Sequence, residues 1–383
     1  MNIAFYAPMK PPDHPIPSGD RMIANLLLDA FKKAGHAPAL AARFRSYEGK
    51  GNAARQRRLK AVGQRLAERL IRRLSRLDAV KRPRCWVTYH LYHKAPDWIG
   101  PSASRALGIP YVVIEATVAP KQKNGPWREG FAAATEAIVD ADLVVALNSS
   151  DMPCLRAVLK DPARLVQLKP FVDLSLFNGR RADDAGRARL AAELGISPTV
   201  PWLVTVAMMR PGDKLDSYKV LASALAANRD SLWHLLIVGD GAARAEVEAA
   251  FANALSSRAS FLGLRPREEV AALLGFCDLF VWPAMQEALG MAILEAHAAG
   301  LAVAAGNSGG VSDIVCHGET GLLTPPGDAD ALASSVAMLL QDAGLRRVMG
   351  DRARTRVKTL HSLVAAAATL DRWLKGLIRD ASS

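Results

Sequence analysis

Cysteine is scarce in this 383-residue chain, and the four present, Cys85, Cys154, Cys277 and Cys316, form no CxxC pair. That excludes a disulfide framework and the usual zinc spacings, and it fits a reducing compartment. No run approaches 18 uninterrupted apolar residues, so no membrane-spanning helix is expected. The opening MNIAFYAPMKPPDHP is a short apolar run that meets proline, without the apolar core and cleavage site of a signal peptide. Aromatic residues make up only 6% and do not interleave the basic stretches, which argues against a nucleic-acid module. No repeat of solenoid period is visible. Against these absences, half the residues are hydrophobic and 22% are charged, the composition of a folded globular protein. At ~150 residues per domain the length suggests two or three domains.

Acidic residues are also in short supply: 37 Asp and Glu face 49 Lys and Arg, leaving a net charge of +12. The excess is local. Between Arg55 and Arg84 twelve basic residues are opposed only by Glu68 and Asp78, and the rest of the chain is nearly neutral. Within this stretch Leu59, Val62, Leu66, Leu70, Leu74 and Leu77 recur at helical spacing, with most arginines on the other side. Such a helix suits an anionic lipid surface or a polyanionic acceptor. It equally suits a solvated helix whose leucines pack on the domain core.

Apolar runs at Asn2–Ala7, Cys85–Tyr89, Tyr111–Ile114, Asp142–Leu147 and Leu165–Phe171 read as strands of a first half. A second set lies at Trp202–Met208, Leu235–Val238, Ser260–Leu262, Leu279–Trp282 and Leu301–Ala305. Helical stretches between them, such as Lys219–Ala227, Ala243–Leu255 and Met291–Ala299, predict parallel sheets with right-handed crossovers. The expected fold class is α/β, with two doubly wound, Rossmann-like domains. Residues 1–178 form the first, with the basic segment 55–84 as an insertion, and 179–383 the second. The helical tail Arg346–Ala381 is expected to pack back across the seam. Ligands of such sheets bind at the carboxyl ends of the strands.

The stretch Leu279–Gly310, LFVWPAMQEALGMAILEAHAAGLAVAAGNSGG, runs from a strand through a loop holding Glu287 to Gly290 and a helix carrying Glu295. Free N–H groups at that helix start, around Leu289, Gly290 and Met291, suit a diphosphate. The stretch resembles the E-x7-E segment of glycosyltransferase family 4, retaining enzymes with two Rossmann-like domains facing a cleft (the GT-B fold). Further elements follow the family's order: Leu236-Ile237-Val238-Gly239-Asp240-Gly241, Phe261-Leu262-Gly263, Cys277-Asp278-Leu279 and His317–Asp328.

The resemblance implies a transferase that moves a sugar from a nucleoside diphosphate sugar, UDP- or GDP-linked, to a hydroxyl of a glycan or lipid-linked acceptor. No metal or other cofactor is expected. Arg210 and Lys214 match the basic pair that holds the donor phosphates, although the family spaces its lysine five residues after the arginine, which keeps Lys219 as an alternative. Glu295 is expected on the ribose, Gly239 and the Leu289–Met291 turn on the donor, and Glu287 on the transferred sugar in a catalytic role. The family's histidine after an N-domain strand corresponds to His90, with His93 as the alternative. Gly19, in Ser18-Gly19-Asp20, stands at a loop that often shows paired glycines, and Glu115 is expected to face the acceptor. Asp173, in Phe171-Val172-Asp173, is read as structural. Three rivals share the architecture: a nucleotide-sugar epimerase, a glycogen-synthase-like polymerase, whose longer N-terminal elements the short first half lacks, and a catalytically silent scaffold held at a membrane by the basic helix. The expected location is the cytoplasm, including the inner face of the cytoplasmic membrane.

Overall fold

The computed structural model describes residues 1–16, 18–177, 184–252, 255 and 257–380. The chain forms two compact units. The first begins with β1 (Asn2–Tyr6), α1 (Gly19–Lys33), β2 (Ala37–Ala42), α2 (Ala53–Ser75), β3 (Cys85–Leu91) and α3 (Gly100–Leu107). It continues through β4 (Tyr111–Ala116), α4 (Arg128–Asp140), β5 (Leu143–Ala146), α5 (Met152–Arg156) and β6 (Leu165–Gln167). All strand pairs are parallel, in the order β2-β1-β3-β4-β5-β6. The direction of winding reverses at β1, so the crevice at the carboxyl ends of β1 and β3 is where a ligand of this unit is expected. β1, β3, β4 and β5 are buried almost throughout, as a parallel sheet covered on both faces requires.

The second unit holds α6 (Asp184–Leu194), β7 (Trp202–Val206), α7 (Asp213–Ala226), β8 (His234–Val238), α8 (Arg244–Ala252) and β9 (Ala259–Gly263). Then come α9 (Arg267–Phe276), β10 (Leu279–Trp282), α10 (Met291–Ala299), β11 (Ala302–Gly306), α11 (Val311–Ile314) and β12 (Gly321–Thr324), and finally α12 (Ala329–Gln341) and α13 (Ala343–Leu360). The sheet order is β12-β11-β10-β7-β8-β9, again parallel, with its switch point between β7 and β10.

The expected division at 178/179 begins outside the described residues, and the units part earlier, between Lys169 and Pro170. The reason is local pairing. Val172 bridges Ser362, and His361 Nδ1–H donates to the Pro170 carbonyl at 2.7 Å, which binds 170–177 to the second unit. The last helix, α14 (Leu363–Asp380), belongs to the first unit and not the second. It lies on α1, burying Ala366, Ala367, Leu370 and Leu374, with His36 Nε2 3.3 Å from Asp371.

The basic segment is a 23-residue helix, capped by the Asn52 side chain, which accepts from Arg55 N–H. Its buried face overlaps the leucine stripe and extends beyond it. Gln56, Gly63, Ala67, Leu70 and Leu74 are buried, whereas Leu59, Val62, Leu66 and Leu77 are only half-buried. Close approach to the Trp98 side chain selects small residues: a Cβ on Gly63 would lie 2.4 Å from Trp98 Cβ. Leu59, Val62 and Leu66 line open apolar grooves with Phe44, Ala41 and Ala42, rimmed by Arg55, Arg58, Arg69 and Arg73. No helix among the described residues is long and apolar enough to cross a membrane.

Candidate functional site

At the switch point of the second unit, the loops after β7, β8 and β10 converge. Ala207 N–H donates to the Val238 carbonyl at 3.0 Å and Met209 N–H to that of Asp240 at 2.9 Å. This contact is close enough to demand glycine at 239, since a Cβ there would lie 1.9 Å from the Ala207 carbonyl oxygen. Arg210 follows on an exposed turn. Lys214, in the first turn of α7, reaches Glu287: Nζ donates to Oε2 at 2.5 Å and lies 5.2 Å from the Trp282 ring centroid. Trp282 Nε1–H donates to the same carboxylate oxygen at 3.1 Å. Lys219 is exposed, and no ion pair is recorded for it among the described residues, so Lys214 is the lysine paired with Glu287.

The Glu287 backbone is fixed as firmly as its side chain. Its N–H donates to Ser308 Oγ at 3.0 Å, its carbonyl accepts from Gly310 N–H at 3.2 Å, and the Ser308 hydroxyl in turn donates to the Ala284 carbonyl. Gly290 sits at φ +64° as the N-cap of α10, the left-handed conformation for which glycine is suited. Leu289 beside it is buried and Met291 half-buried. Glu295 is held apart from Glu287 by a different partner: Arg267 donates to its carboxylate at 3.2 Å. Burial raises the Glu295 pKa, and Arg267 opposes that rise.

In the first unit His90 is the penultimate residue of β3 and Glu115 that of β4. Register pairs Tyr89 with Ile114 and Leu91 with Ala116, which sets His90 and Glu115 at one level on neighbouring strands. Both have left-handed backbones, φ 60° and 59°. Together with Ala284 after β10 (φ 49°), they are the non-glycine residues at positive φ among the described residues. Each such residue costs on the order of 1–3 kcal/mol, a strain that concentrates at functional sites. His90 Nδ1 lies 2.9 Å from Asp20 Oδ1, in the first turn of α1, and 3.9 Å from Glu115 Oε2. The short contact to Asp20 is an ion pair without hydrogen-bond alignment. Burial alone would lower the His90 pKa; the carboxylates of Glu115 and Asp20, with Asp151 beyond them, reverse this and raise it to about 9. Asp20 is half-buried, and the desolvation works against its ionisation, but its contact with His90 outweighs that and lowers its pKa. Glu115 is pushed up, first by burial.

His93 takes another role, edge-on to Trp127 with centroids 5.7 Å apart. A Cβ on Gly19 would meet open space, so nothing steric requires glycine there. Asp173 closes a turn by accepting from Ser175 N–H at 3.0 Å. Asp20, Asp151, Trp282, Ser308 and Arg267 complete the two clusters and were not singled out from sequence. Two D-A-D triplets have structural partners: Asp140 pairs with Arg105, Asp142 accepts from Tyr111 N–H, and Asp328 caps α12. Among the described residues no group of three or more His, Cys, Asp or Glu is placed to hold a metal ion.

Residues 187–356 match the family model of glycosyl transferases group 1. The chain is 28% identical over 221 residues to N-acetyl-alpha-D-glucosaminyl L-malate synthase of Bacillus anthracis, covering 57% of this chain and 56% of that one. It is 31% identical over 245 residues to a GDP-mannose-dependent alpha-(1-6)-phosphatidylinositol monomannoside mannosyltransferase of Mycobacterium tuberculosis, covering 61% and 62%. The matches thus span less than two thirds of these relatives. The fold is similar over 98% of this chain to all of HepE from Anabaena, solved in complex with UDP, with a TM-score of 0.75 at 19% identity. That likeness shows the fold, two Rossmann-like units of the GT-B type. By sequence, the greater part of the second unit is similar to the glycosyl transferases group 1 domain.

Proposed function

We propose that this protein transfers a sugar, with retained anomeric configuration, from a UDP- or GDP-sugar to a hydroxyl of a glycan or lipid-linked acceptor. One observation carries the reading: Glu287 is locked by Lys214, Trp282 and Ser308 at the carboxyl ends of β7 and β10, directly before the N-terminus of α10. Departure of a nucleoside diphosphate builds negative charge on the leaving phosphate. Lys214, Arg210 and the helix start at Leu289–Met291 are the cationic and N–H groups at this crevice, and preorganised donors of this kind stabilise such charge. The reading gives Glu287 the transferred sugar, Glu295 the ribose, and Gly239 the close backbone approach to the donor. His90 would contact the sugar, and Glu115 and the Gly19 loop the acceptor. The leaving oxygen accepts the acceptor's proton, so the scheme uses no metal and no covalent nucleophile. Support for the donor comes from HepE, solved with UDP and with UDP-glucose, and from the GDP-mannose-dependent relative.

The first test is thermal unfolding with UDP, GDP and ADP, for the wild type and Arg210→Ala. A nucleotide at 100 times its dissociation constant stabilises by ~2.7 kcal/mol. Stabilisation by one nucleotide, lost in the variant, is expected and names the base. No stabilisation by any of the three favours the silent scaffold. Proton NMR of the product's anomeric coupling tests retention.

The reading also places the protein on the inner face of the cytoplasmic membrane, with a lipid-linked acceptor in envelope glycan synthesis. Its support is α2: arginines rim grooves lined by half-buried leucines, an arrangement suited to anionic headgroups above and apolar chains within. Flotation with anionic vesicles is expected at low salt and its loss at high salt. No salt-sensitive flotation refutes the membrane role.

A further inference from the structure

The paired kink of the first unit asks for more than a histidine near a sugar. Two adjacent strands bend into left-handed backbone at the same level, and the side chains so placed are left without ordinary partners. His90 Nδ1, Glu115 Oε2 and the Tyr89 hydroxyl are all buried and lack an aligned hydrogen bond. Asp20 reaches His90 from a different element, α1, and touches Nδ1 alone. The charged and titratable groups around the ring are Asp20 from α1, Glu115 from β4, Asp151 after β5, and Tyr89 and Tyr92 of its own strand and turn, with Lys10 acting on Asp20. Carboxylates thus outnumber the cations, and two of them, Asp20 and Glu115, lie nearest Nδ1. The carboxylates occupy Nδ1, which leaves Nε2 as the ring nitrogen for a ligand.

We propose that Asp20 is a positioning residue that, with Glu115, holds His90 as an imidazolium whose Nε2–H donates to an oxygen of the transferred sugar, so that His90 serves as a hydrogen-bond donor and not as a base. This rests on the transferase reading for the identity of the ligand, but not for the state of the ring. A neutral histidine with Nδ1–H facing Asp20 would present a lone pair at Nε2 and could accept a proton. A doubly protonated ring presents a donor at Nε2 at any pH below its own titration. The carboxylate behind it decides between the two.

The experiment follows the imidazole signals of the full chain by NMR from about pH 6 to pH 10, with His90 identified by its loss in His90→Gln. The ring is expected to titrate near 9 in the wild type and at least about one pH unit lower in Asp20→Asn, with a shift in the same direction in Glu115→Gln. Transfer rates with UDP- and GDP-sugars over the same range are expected to fall above pH 9 in the wild type. In Asp20→Asn that falling limb moves down by the same interval, at kcat more than at KM, and in His90→Gln it disappears. Titration near 6.5 in the wild type, or a titration unmoved by both variants, overturns the proposal whatever the activity. A shifted titration with a pH–rate limb that does not follow it overturns the donor role. Absence of transfer by the wild type with either donor counts against the transferase reading, and with it the sugar as ligand, while the titration still decides the state of the ring.

Discussion

The Lys214–Glu287 pair permits a quantitative test. Both side chains are largely buried, with 14% and 20% exposed, so neither is well compensated by water when its partner goes. Glu287→Gln leaves the ammonium with a neutral acceptor; Lys214→Met leaves the carboxylate with only the Trp282 N–H. Loss of a hydrogen bond to a charged group costs roughly 1.5–3 kcal/mol, so each single variant is expected to lose ~2 kcal/mol. For a unit of this size that is about 4–8 °C in Tm. The double variant removes both charges, and its loss is expected to fall ~2 kcal/mol short of the sum of the singles. Urea unfolding of the four proteins reads this directly. Additivity to within about 0.5 kcal/mol refutes the pair as an interaction in solution. Ligand binding separates the partners further. Glu287→Gln frees Lys214 for phosphate, so UDP or GDP binds as well as or better than in the wild type while transfer is lost. Lys214→Met weakens both. Parallel loss of binding in the two variants refutes the division of roles.

Gly239→Ala is expected to destabilise the second unit by on the order of 3 kcal/mol, because the new Cβ meets the Ala207 carbonyl oxygen at 1.9 Å; an unchanged urea midpoint contradicts this. The two units are expected to respond oppositely to pH. His90 has a folded pKa raised from 6.5 to about 9, so its contribution, at most about 3 kcal/mol, is complete below pH 6.5 and is lost as pH rises through 9. His90→Gln is expected to flatten that alkaline loss in urea midpoints taken from pH 6 to 10. His297 in α10 is fully buried, and burial, with His361 and Arg356 nearby, depresses its pKa to about 3. The unfolded chain then takes up a proton that the folded chain refuses, so the second unit loses stability as pH falls below 6.5. His297→Leu is expected to reduce that slope, and an unaltered slope refutes the assignment.

The second unit was the more legible in sequence because much of its site lies in one continuous stretch. Glu287, Gly290 and Ser308 all fall within Leu279–Gly310, and the strand before it is an uninterrupted apolar run. The first unit hides its site for a physical reason. Asp20 meets His90 only because α1 and β3 are brought together by the sheet order, and nothing in the composition of either segment announces a left-handed backbone at His90 or Glu115. Edge elements were also opaque. β2 reads APALAA, with a proline tolerated at the sheet margin and no β-branched residue, so it carries no strand signal. β12, GLLT, lies inside the His317–Asp328 element and is too short to carry a strand signal of its own. On α2 periodicity found the helix and, at Leu70 and Leu74, part of its buried face, but missed Gly63 and Ala67, since leucines mark hydrophobicity while glycine and alanine mark close approach. The Lys214 assignment shows the converse: spacing relative to the family left two lysines open, and the pairing with Glu287 separates them.

The placement of α14 has a consequence for biosynthesis. The ribosome releases residues 363–380 only after the whole of the second unit, yet this segment covers α1, made near the start. Until then the face of α1 that receives Leu370 and Leu374 has no cover, and the first unit waits, incomplete, while a complete neighbour folds downstream. A nascent chain arrested at residue 362 would therefore carry one finished unit and one open one. A premature stop late in the reading frame would damage the part of the protein encoded first.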